Sequence, residues 1–351
     1  MALKQSQQSD QPQERRGQAG ACAPLSISVI IPVRNGGEAF RQCLASLTQT
    51  CPPPLEVIVV VDGASDRSGH IAKEWGVPVL RLPSRRGPAC ARNHGARIAR
   101  GTLLFFLDAD VTVPPDIMRL VEAQFAGDPH LAGLIGSYDD EPAAQNFLSQ
   151  YKNLFHHYVH QTASEEAGTF WGACGVIRRE VFRTVGGFDE AYRRPSIEDI
   201  ELGYRLKRAG YQLRLCKTLQ VKHWKEWHAW SLLQADICLR ALPWTALLLR
   251  EGQLPNDLNL RFSARASTGL VFLFLIAVVG TWWWVGWSLV AGACLVLLLA
   301  VNASLYRFLW RKRGTLFVLQ AIPWHCSYYC YSGFVFVYGL MCHLLNRKTQ
   351  S

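Results

Sequence analysis

The feature that most constrains this chain is a long stretch without any charged side chain, Gly269–Val301. A straight membrane helix needs roughly 20 apolar residues, so this stretch is too long for one span. The tryptophan-rich segment Trp282–Trp287 interrupts it and suits a membrane interface, which predicts a helical hairpin. A second run without formal charge, Leu316–Leu345, has room for another span near its end. We therefore predict a transmembrane region of about three spans at residues 266–346.

A basic cluster between the second and third predicted spans indicates the orientation. It consists of Arg307, Arg311, Lys312 and Arg313. Such an excess of Lys and Arg marks cytoplasmic loops. An even number of crossings separates this loop from residues 1–265, so the soluble part is predicted to be cytoplasmic as well. The sequence thus predicts a multi-pass protein of the inner or plasma membrane.

The charge balance of the chain requires an anionic partner. The chain has 37 Lys+Arg and 27 Asp+Glu, which gives a formal net charge of +10. Nucleic acid, anionic lipid and a phosphorylated metabolite would each suit this balance. The arginines are scattered along the chain, and no motif of basic and aromatic residues for nucleic acid stands out. We therefore expect no nucleic-acid partner and favour the other two classes.

Residues 25–226 alternate short apolar runs with amphipathic stretches. Phe40, Leu44 and Leu47, for example, mark one face of a helix between two such runs. Strands and helices in alternation at this spacing predict an α/β fold with a parallel sheet and right-handed crossovers. Sheets of this kind bind ligands beyond the carboxyl ends of their strands. The predicted strands are Ile27–Ile31, Val57–Val61, Val77–Leu82 and Leu103–Leu107.

The segments on either side of residues 25–226 differ from them. Residues 1–24 are rich in Gln, Ser, Arg and Gly and lack the apolar region of a signal peptide, which predicts a disordered arm. In residues 227–265, apolar side chains recur at helical spacing and Pro243 should kink the stretch. We predict a pair of interfacial amphipathic helices there, with an ordinary domain-closing helix as the alternative. The apolar residues concerned are Trp230, Leu233, Ile237, Trp244 and Leu248.

Two predicted strands end in polar residues that suit a nucleoside. The first strand runs into Pro32, Arg34 and Asn35, and the second is followed by Asp62 and small residues. An acid in this position can recognise a base or a ribose by hydrogen bonds. The alternative is a turn in which Asp62 caps the next helix.

Arginines surround the predicted start of the third helix. Arg85 and Arg86 precede it, and Arg92 lies within it. Guanidinium groups and a helix N-terminus can together hold a diphosphate. A solvated basic surface is the alternative.

Two aspartates follow the predicted buried strand that ends at Leu107. Asp108 and Asp110 would be costly so close together unless a cation or several donors compensate their charge. A hard divalent ion that bridges them to a diphosphate would satisfy both. His223 could complete the metal ligands, although a lone histidine is more often structural.

Glu198 and Asp199 open a further predicted helix. As a positioned carboxylate, Asp199 could take the proton from an acceptor hydroxyl, with Glu198 beside it. A structural role is the alternative, since Ser196 three residues before Asp199 resembles a capping box.

Taken in order along the chain, these motifs resemble those of family 2 glycosyltransferases of the GT-A fold. Over residues 26–225 the matching stretches are SVIIPVRN, EVIVVVDGASD, RRGPACARNHG, LDAD, WGACGVIRR, GGFDE and EDIELGYRLKRAGY. The resemblance implies an inverting enzyme that uses a nucleotide-diphosphate sugar with Mg²⁺ or Mn²⁺. It also implies roles for the matching residues. Asp199 would be the catalytic base beside Glu198, and Asp110 and His223 would hold the metal. The donor would be bound by Pro32, Arg34, Asn35, Asp62, Arg92 and Asp108.

One departure from the family concerns its processive synthases. These carry Gln-x-x-Arg-Trp after the Glu-Asp helix, and this chain contains no Arg-Trp pair. We therefore expect a single, non-processive transfer by a membrane-anchored enzyme of the bacterial type. A non-catalytic membrane scaffold that binds nucleotides is the competing class of function.

The acceptor is expected to be lipid-linked, because residues 227–265 should bring Asp199 close to the lipid headgroups. The accepting group would be either a hydroxyl of a glycolipid or a polyprenyl phosphate. Tyr138 and Trp171 are further candidates for the acceptor side, and the sequence does not rank them above core aromatics.

Overall fold

The computed structural model describes residues 25–63, 65–252 and 256–348, with side chains up to residue 345. The arm predicted at residues 1–24 lies outside these described residues. The strands are β1 (Ile27–Val33), β2 (Glu56–Asp62), β3 (Val79–Leu82), β4 (Leu103–Leu107), β5 (Val111–Thr112), β6 (Leu131–Tyr138), β7 (Cys174–Arg178) and β8 (Gln212–His223). The helices that accompany the sheet are α1 (Gly37–Thr48), α2 (Ser68–Glu74), α3 (Pro88–Ile98), α4 (Ile117–Gly127), α5 (Phe147–Gln161), α6 (Arg179–Thr184) and α7 (Glu198–Arg208). The helices that follow it are α8 (Ala229–Gln234), α9 (Leu242–Glu251), α10 (Phe262–Gly280), α11 (Trp287–Val301) and α12 (Ala303–Lys348).

The strands in the described residues form one sheet in the order β3-β2-β1-β4-β7-β6-β8-β5. β1 to β4 are parallel to one another, as the sequence predicts. The predicted parallel arrangement ends at β4, because β7 runs antiparallel to both β4 and β6. Cys174, the first residue of β7, pairs with Leu107, the last residue of β4. The chain therefore re-enters the sheet at its carboxyl edge, and this brings the segment before β7 to the candidate site.

The central strands are buried on both faces, as expected from their continuous apolar runs. Val29 and Ile31 pack into the core on one side of the sheet, and Ile30 and Val60 pack into the core on the other. All four side chains are fully buried. The polar residues that follow these strands are thus held at one edge by a rigid layer.

A continuous helical rod follows the sheet at Ala229–Glu251, where the sequence predicts two helices. A π-helical turn, Ala235–Ala241, joins α8 to α9 just before Pro243. Pro243 has no N–H to donate to the Leu239 carbonyl four residues earlier. The Ser196 hydroxyl donates to that carbonyl at 2.8 Å instead. The helix therefore continues through a π turn just before Pro243, and the predicted division into two helices at this proline is wrong.

The C-terminal region is helical and apolar. Among the described residues, three helical segments are long and apolar enough to cross a membrane: Ala229–Glu251, Phe262–Gly280 and Ala303–Leu345. The predicted hairpin corresponds to α10 and the shorter apolar helix α11. Asn302, the residue after α11, links α10 to α12, since its Nδ2 donates to Ser267 Oγ and its Oδ1 accepts from the Tyr329 hydroxyl, both at 2.9 Å.

The basic cluster lies in the first part of α12 and not in a loop, which corrects the prediction. The helix breaks only at Gly314, whose φ of 81° is left-handed. Lys312 forms an ion pair with Asp140, and Arg313 Nε donates to Gln150 Oε1 at 2.8 Å. The basic end of this segment is therefore fixed to α5 and to the loop before it.

We expect Gly203→Ala to destabilise the protein. An added Cβ in α7 would lie 2.2 Å from the backbone nitrogen of Phe170. Overpacking of this kind costs about 1–3 kcal/mol, and a backbone obstacle places the cost at the upper end. This exceeds the ~1 kcal/mol that alanine gains over glycine in a helix. Denaturant unfolding in detergent should show a lower free energy of unfolding.

The matched control is Gly127→Ala at the end of α4, where an added Cβ meets nothing within 4 Å. It should leave the free energy of unfolding unchanged or slightly higher. Equal effects of the two substitutions would contradict the close contact between α7 and the segment before β7.

Candidate active site

A cavity of about 1030 Å³ runs from the carboxyl edge of the sheet to α10 and α12. The predicted site residues that line it are Pro32, Arg34, Asn35, Asp62, Arg85, Arg92, Asp108, Asp110, Glu198, Asp199 and His223. Arg86, the other arginine predicted before the third helix, is not among the lining residues, and its side chain lies 3.8 Å from Glu190. We call the part nearest the strands the donor end and the part between α9, α10 and α12 the helix end.

Asp62 holds the loop that precedes α3. Its Oδ1 accepts from the backbone N–H of Arg86 at 2.6 Å, and its Oδ2 accepts from that of Gly87 at 2.9 Å. Asp62 does not cap α2, so the helix-cap alternative is wrong. The carboxylate is buried at the donor end and shapes the wall that carries Arg85.

The end of β1 forms the opposite wall of the donor end. Asn35 adopts a left-handed φ of 55°, and its side-chain oxygen accepts from the backbone N–H of Ser65 at 3.0 Å. Arg34 beside it is exposed, as is Arg85 across the cavity. Within the described ranges, neither arginine pairs with a carboxylate. Both guanidinium groups are therefore available to a ligand.

Arg92 is buried between two carboxylates. Its Nη2 donates to Asp108 Oδ1 at 2.7 Å and its Nη1 donates to Glu198 Oε1 at 2.9 Å. Burial acts to lower the pKa of Arg92, but the charges of Asp108 and Glu198 outweigh it and hold the pKa above its usual value. Arg92 lines the donor end as predicted, yet its guanidinium group binds these carboxylates.

Strand pairing brings Asp110 and His223 together across more than a hundred residues. Val111 pairs with His223, and the backbone N–H of Trp224 donates to the Asp110 carbonyl at 2.8 Å. The distance from His223 Nε2 to Asp110 Oδ2 is 3.8 Å. This distance is too long for a hydrogen bond and is less than twice a metal–ligand bond of about 2.1 Å, so both atoms can reach one ion. A carboxylate and an imidazole are suitable ligands for Mn²⁺, so the pair fits a divalent ion.

Asp199 lies in the first turn of α7 and is held by backbone donors. Its Oδ2 accepts from Gly172 N and its Oδ1 from Ile200 N, at 2.9 and 2.8 Å. Burial, and after it the charge of Glu198, raise the pKa of Asp199 to about 6. The capping-box alternative is wrong, because Ile197 is the N-cap residue and Ser196 N donates to Glu198 Oε2.

A cluster of aromatic residues borders Asp110 and His223, and the sequence predicts it only in part. Tyr138 stacks on His223 at 4.1 Å, and Trp171 packs against Tyr138, His156 and His160. Burial, then the neighbouring His160 and Arg240, hold the pKa of His156 well below its usual value. Burial lowers the pKa of His160 to about 4. The spacing of His156 and His160, one helical turn apart in α5, is the sequence signal that could have identified them.

The helix end contains a charged cluster that the sequence did not indicate. Asp236 in the π-helical turn accepts from Lys152 Nζ at 2.7 Å and from Arg240 Nη1 at 3.1 Å. The sequence signal that could have identified this cluster is the presence of single charged residues within apolar helical stretches. Their pairing joins residues 84 positions apart, which periodicity does not reveal.

Residues 28–186 match the sequence profile of the family described as Glycosyl transferase family 2. The pre-mycofactocin glycosyltransferase of Mycobacterium tuberculosis is 31% identical over 208 residues, which are 56% of this chain and 42% of that protein. The probable glycosyltransferase YdaM of Bacillus subtilis is 26% identical over 223 residues, which are 57% of this chain and 52% of that protein. The chain thus spans about half the length of these curated relatives.

A solved structure has a similar fold over most of the chain. It is the mannosyltransferase PcManGT from Pyrobaculum calidifontis in complex with GDP-Man and Mn²⁺, with a TM-score of 0.54 at 17% identity. The similarity covers 89% of this chain and 87% of that chain, so it extends beyond the sheet into the helices. It confirms the predicted fold class, an α/β domain of the GT-A type followed by helices.

We expect substitutions of Arg92 to lower the free energy of unfolding, because its charge holds two carboxylates together at the donor end. Arg92→Ala leaves Asp108 and Glu198 facing each other without a cation, and breaking a buried pair costs about 3–5 kcal/mol. Arg92→Lys keeps the positive charge but lacks the guanidinium group that binds both carboxylates at once. It should therefore lower the free energy of unfolding by less than Arg92→Ala. Denaturant unfolding in detergent measures both.

Arg97→Ala is the control, since Arg97 is exposed and pairs with Glu190 at the surface. Exposed pairs contribute about 0–1 kcal/mol. A loss for Arg92→Ala no larger than that of the control would contradict a central structural role for the buried cation.

Proposed function

We propose that the chain is a membrane-anchored glycosyltransferase of family 2 that transfers one sugar from a nucleotide-diphosphate sugar to a lipid-linked acceptor. The match of residues 28–186 to the profile of that family supports the proposal. The observation that carries this proposal is the continuous cavity. It joins the acids of the donor end to the helix end, where α10 and α12 offer apolar faces. A polar donor and a lipid can therefore reach Asp199, the proposed catalytic base, from opposite directions.

The donor end has the groups that a nucleotide sugar requires. Asp62 and the β1 end would face the base and ribose, as in open sheets that bind nucleotides beyond their strands. Arg34 and Arg85 are free to bind the diphosphate. The solved mannosyltransferase of similar fold holds GDP-Man, which supports a nucleotide-sugar donor for this chain. Arg92 would act as a positioning residue for Asp108 and Glu198.

Asp110 and His223 would hold a divalent metal ion, Mn²⁺ or Mg²⁺. When bound, such an ion supplies positive charge that stabilises the leaving diphosphate. The Mn²⁺ in the solved mannosyltransferase supports this assignment. Tyr138, stacked on His223, would fix the orientation of the imidazole ring.

Asp199 would be the base that accepts the proton of the attacking hydroxyl. Two backbone N–H groups hold its carboxylate in place, and its raised pKa makes it a better proton acceptor than an exposed aspartate. Attack opposite the leaving diphosphate would invert the anomeric centre. Because a phosphate acceptor is already ionised, it would not need this base.

The contacts of the basic cluster support the orientation in which the catalytic part is cytoplasmic. Lys312 and Arg313 contact Asp140 and Gln150, so the cluster and the sheet lie on one side of the membrane. An excess of Lys and Arg marks the cytoplasmic side. The absence of an Arg-Trp pair from the chain supports a single, non-processive transfer.

The test of this function is metal-dependent release of nucleotide. Purified protein in detergent would be screened with UDP- and GDP-sugars and Mn²⁺ or Mg²⁺. We expect slow release from one donor, abolished by a chelator and lowered at least ~100-fold in Asp110→Asn, because the leaving charge then lacks its ion. Asp116→Asn, at an exposed position outside the cavity, should match the parent protein.

Nucleotide binding by calorimetry decides the case in which no donor is hydrolysed. Metal-dependent binding without turnover of any acceptor in lipid extracts would support the non-catalytic scaffold. The absence of any metal-dependent nucleotide binding would refute a working donor site.

The dependence of transfer on pH should report Asp199. A carboxylate accepts a proton only when ionised, so kcat/KM should fall as the pH drops through about 6. Asp199→Asn should lower transfer to a hydroxyl about 10²–10⁴-fold and remove this acidic limb. Initial rates between pH 5 and 8 measure both. Near-normal transfer by Asp199→Asn would exclude a hydroxyl acceptor and indicate a phosphate.

A further inference from the structure

The helix end of the cavity contains charged side chains that the proposed chemistry does not use. Lys152 Nζ donates to both oxygens of Asp236, at 2.7 and 2.9 Å, and Arg240 Nη1 donates to one of them at 3.1 Å. The Tyr331 hydroxyl donates to Asp236 Oδ2 at 2.8 Å. The two cations and Asp236 line the cavity. We call Lys152, Asp236, Arg240 and Tyr331 the lysine–arginine cluster.

This cluster has one positive charge in excess. Asp236 is the single carboxylate between two cations, and Tyr331 already donates its hydroxyl proton to it. Burial acts to lower the pKa of Lys152, and despite Asp236 the pKa stays below its usual value, with Arg240 adding to the decrease. Within the described ranges, Arg240 donates to Asp236 alone, and its side chain is 48% exposed. The excess charge thus lies on the half-exposed Arg240, which lines the cavity, so an anion there could accept charge-assisted hydrogen bonds from it.

A third cation lines the same part of the cavity without a full set of partners. Arg265, in the first turn of α10, has its Nε buried with no acceptor among the described residues. Its Nη2 reaches only Asn256 Oδ1, at 3.3 Å. Acids dominate the donor end, whereas the charged residues of the helix end are mainly basic.

The surroundings of these cations are apolar. Trp244, Phe272, Phe336 and Val337 line the cavity beside them, between α9, α10 and α12. The outer face of α10 exposes further apolar side chains, such as Ile276. A free phosphate would contact only the cations, whereas a lipid phosphate would fill both the charged and the apolar parts.

The cluster is tied to the proposed base through the backbone. Leu239, the residue before Arg240, accepts a hydrogen bond from Ser196 Oγ, and Ser196 N donates to Glu198. A group held by Arg240 is thus placed relative to the start of α7. Asp199, the next residue, then remains free for a hydroxyl of the same molecule.

We propose that Lys152 and Arg240 bind the phosphate of a phosphorylated lipid acceptor, whose apolar chain lies between α10 and α12. This inference rests on the proposed function and adds a specific anion site to it. The phosphate anchors the lipid, while its sugar hydroxyl reaches Asp199.

The test is binding of a short lipid phosphate in the absence of nucleotide sugar. Calorimetry of the full chain in non-ionic detergent would compare farnesyl phosphate, farnesol and inorganic phosphate. We expect farnesyl phosphate to bind at least tenfold more tightly than either of the others. Arg240→Gln should weaken the binding of farnesyl phosphate at least tenfold and leave the binding of farnesol unchanged. Arg240→Lys should recover part of the lost affinity for farnesyl phosphate.

Arg250→Gln is the matched control, because Arg250 lies on the same helical rod outside the cavity and pairs with Glu251. It should bind farnesyl phosphate like the parent protein. Lys152→Gln is a second variant with the same expected loss. Equal affinity of Arg240→Gln and the parent protein for farnesyl phosphate would overturn the proposal. Inorganic phosphate that binds as tightly as farnesyl phosphate would overturn the lipid assignment.

The readout separates this inference from the proposed function. Phosphate-dependent lipid binding without nucleotide release from any donor would leave the anion site standing and refute the transferase. Nucleotide release by a protein that binds farnesyl phosphate and farnesol equally well would support the transferase and refute the anion site.

Discussion

One buried arginine connects the parts of the candidate active site that the sheet alone would leave separate. Arg92 projects from α3 and binds Asp108 after β4 and Glu198 at the start of α7. Without a cation, the two carboxylates would repel each other in a region of low dielectric. With it, α7 can begin against the strand edge, and Asp199 is held between backbone donors from two different segments. The shape of the site therefore depends on the ion pairs of Arg92 within the protein and not on a bound ligand.

The soluble and helical parts are joined by polar contacts in an otherwise apolar interface. Tyr151, Leu154 and Phe155 of α5 pack against α12. Arg313 contacts Gln150, and Lys152 of the lysine–arginine cluster contacts Asp236, so both directional contacts are made from the first half of α5. Apolar packing alone would permit sliding, whereas ion pairs and hydrogen bonds define a register. This fixed register keeps the cavity continuous from the sheet edge to the helices.

The sequence predicted those parts of the molecule that depend on neighbouring residues. Continuous apolar runs identified β1, β2 and β4, and polar residues directly after strands identified Asp62, Asp108 and Asp110. It did not predict the direction of β7, which depends on where the chain returns after α5. It also missed the pairing of Arg92 with Glu198, 106 positions away, and that of Lys152 with Asp236. Such contacts depend on three-dimensional packing, and the periodicities of helices and strands in the sequence carry no information about it.

The π-helical turn at Ala235–Ala241 preserves the angular phase of the helix that follows it. A π turn contains one more residue per hydrogen-bonded loop than an α turn. Because the wider loop takes up this extra residue, the turns beyond it keep nearly the phase of a regular helix that is one residue shorter. Trp244, Thr245 and Leu248 line the cavity from beyond the turn. An extra residue within a regular α-helix would instead rotate them by about 100°, so the π turn accommodates a chain length that would otherwise turn these side chains away from the cavity.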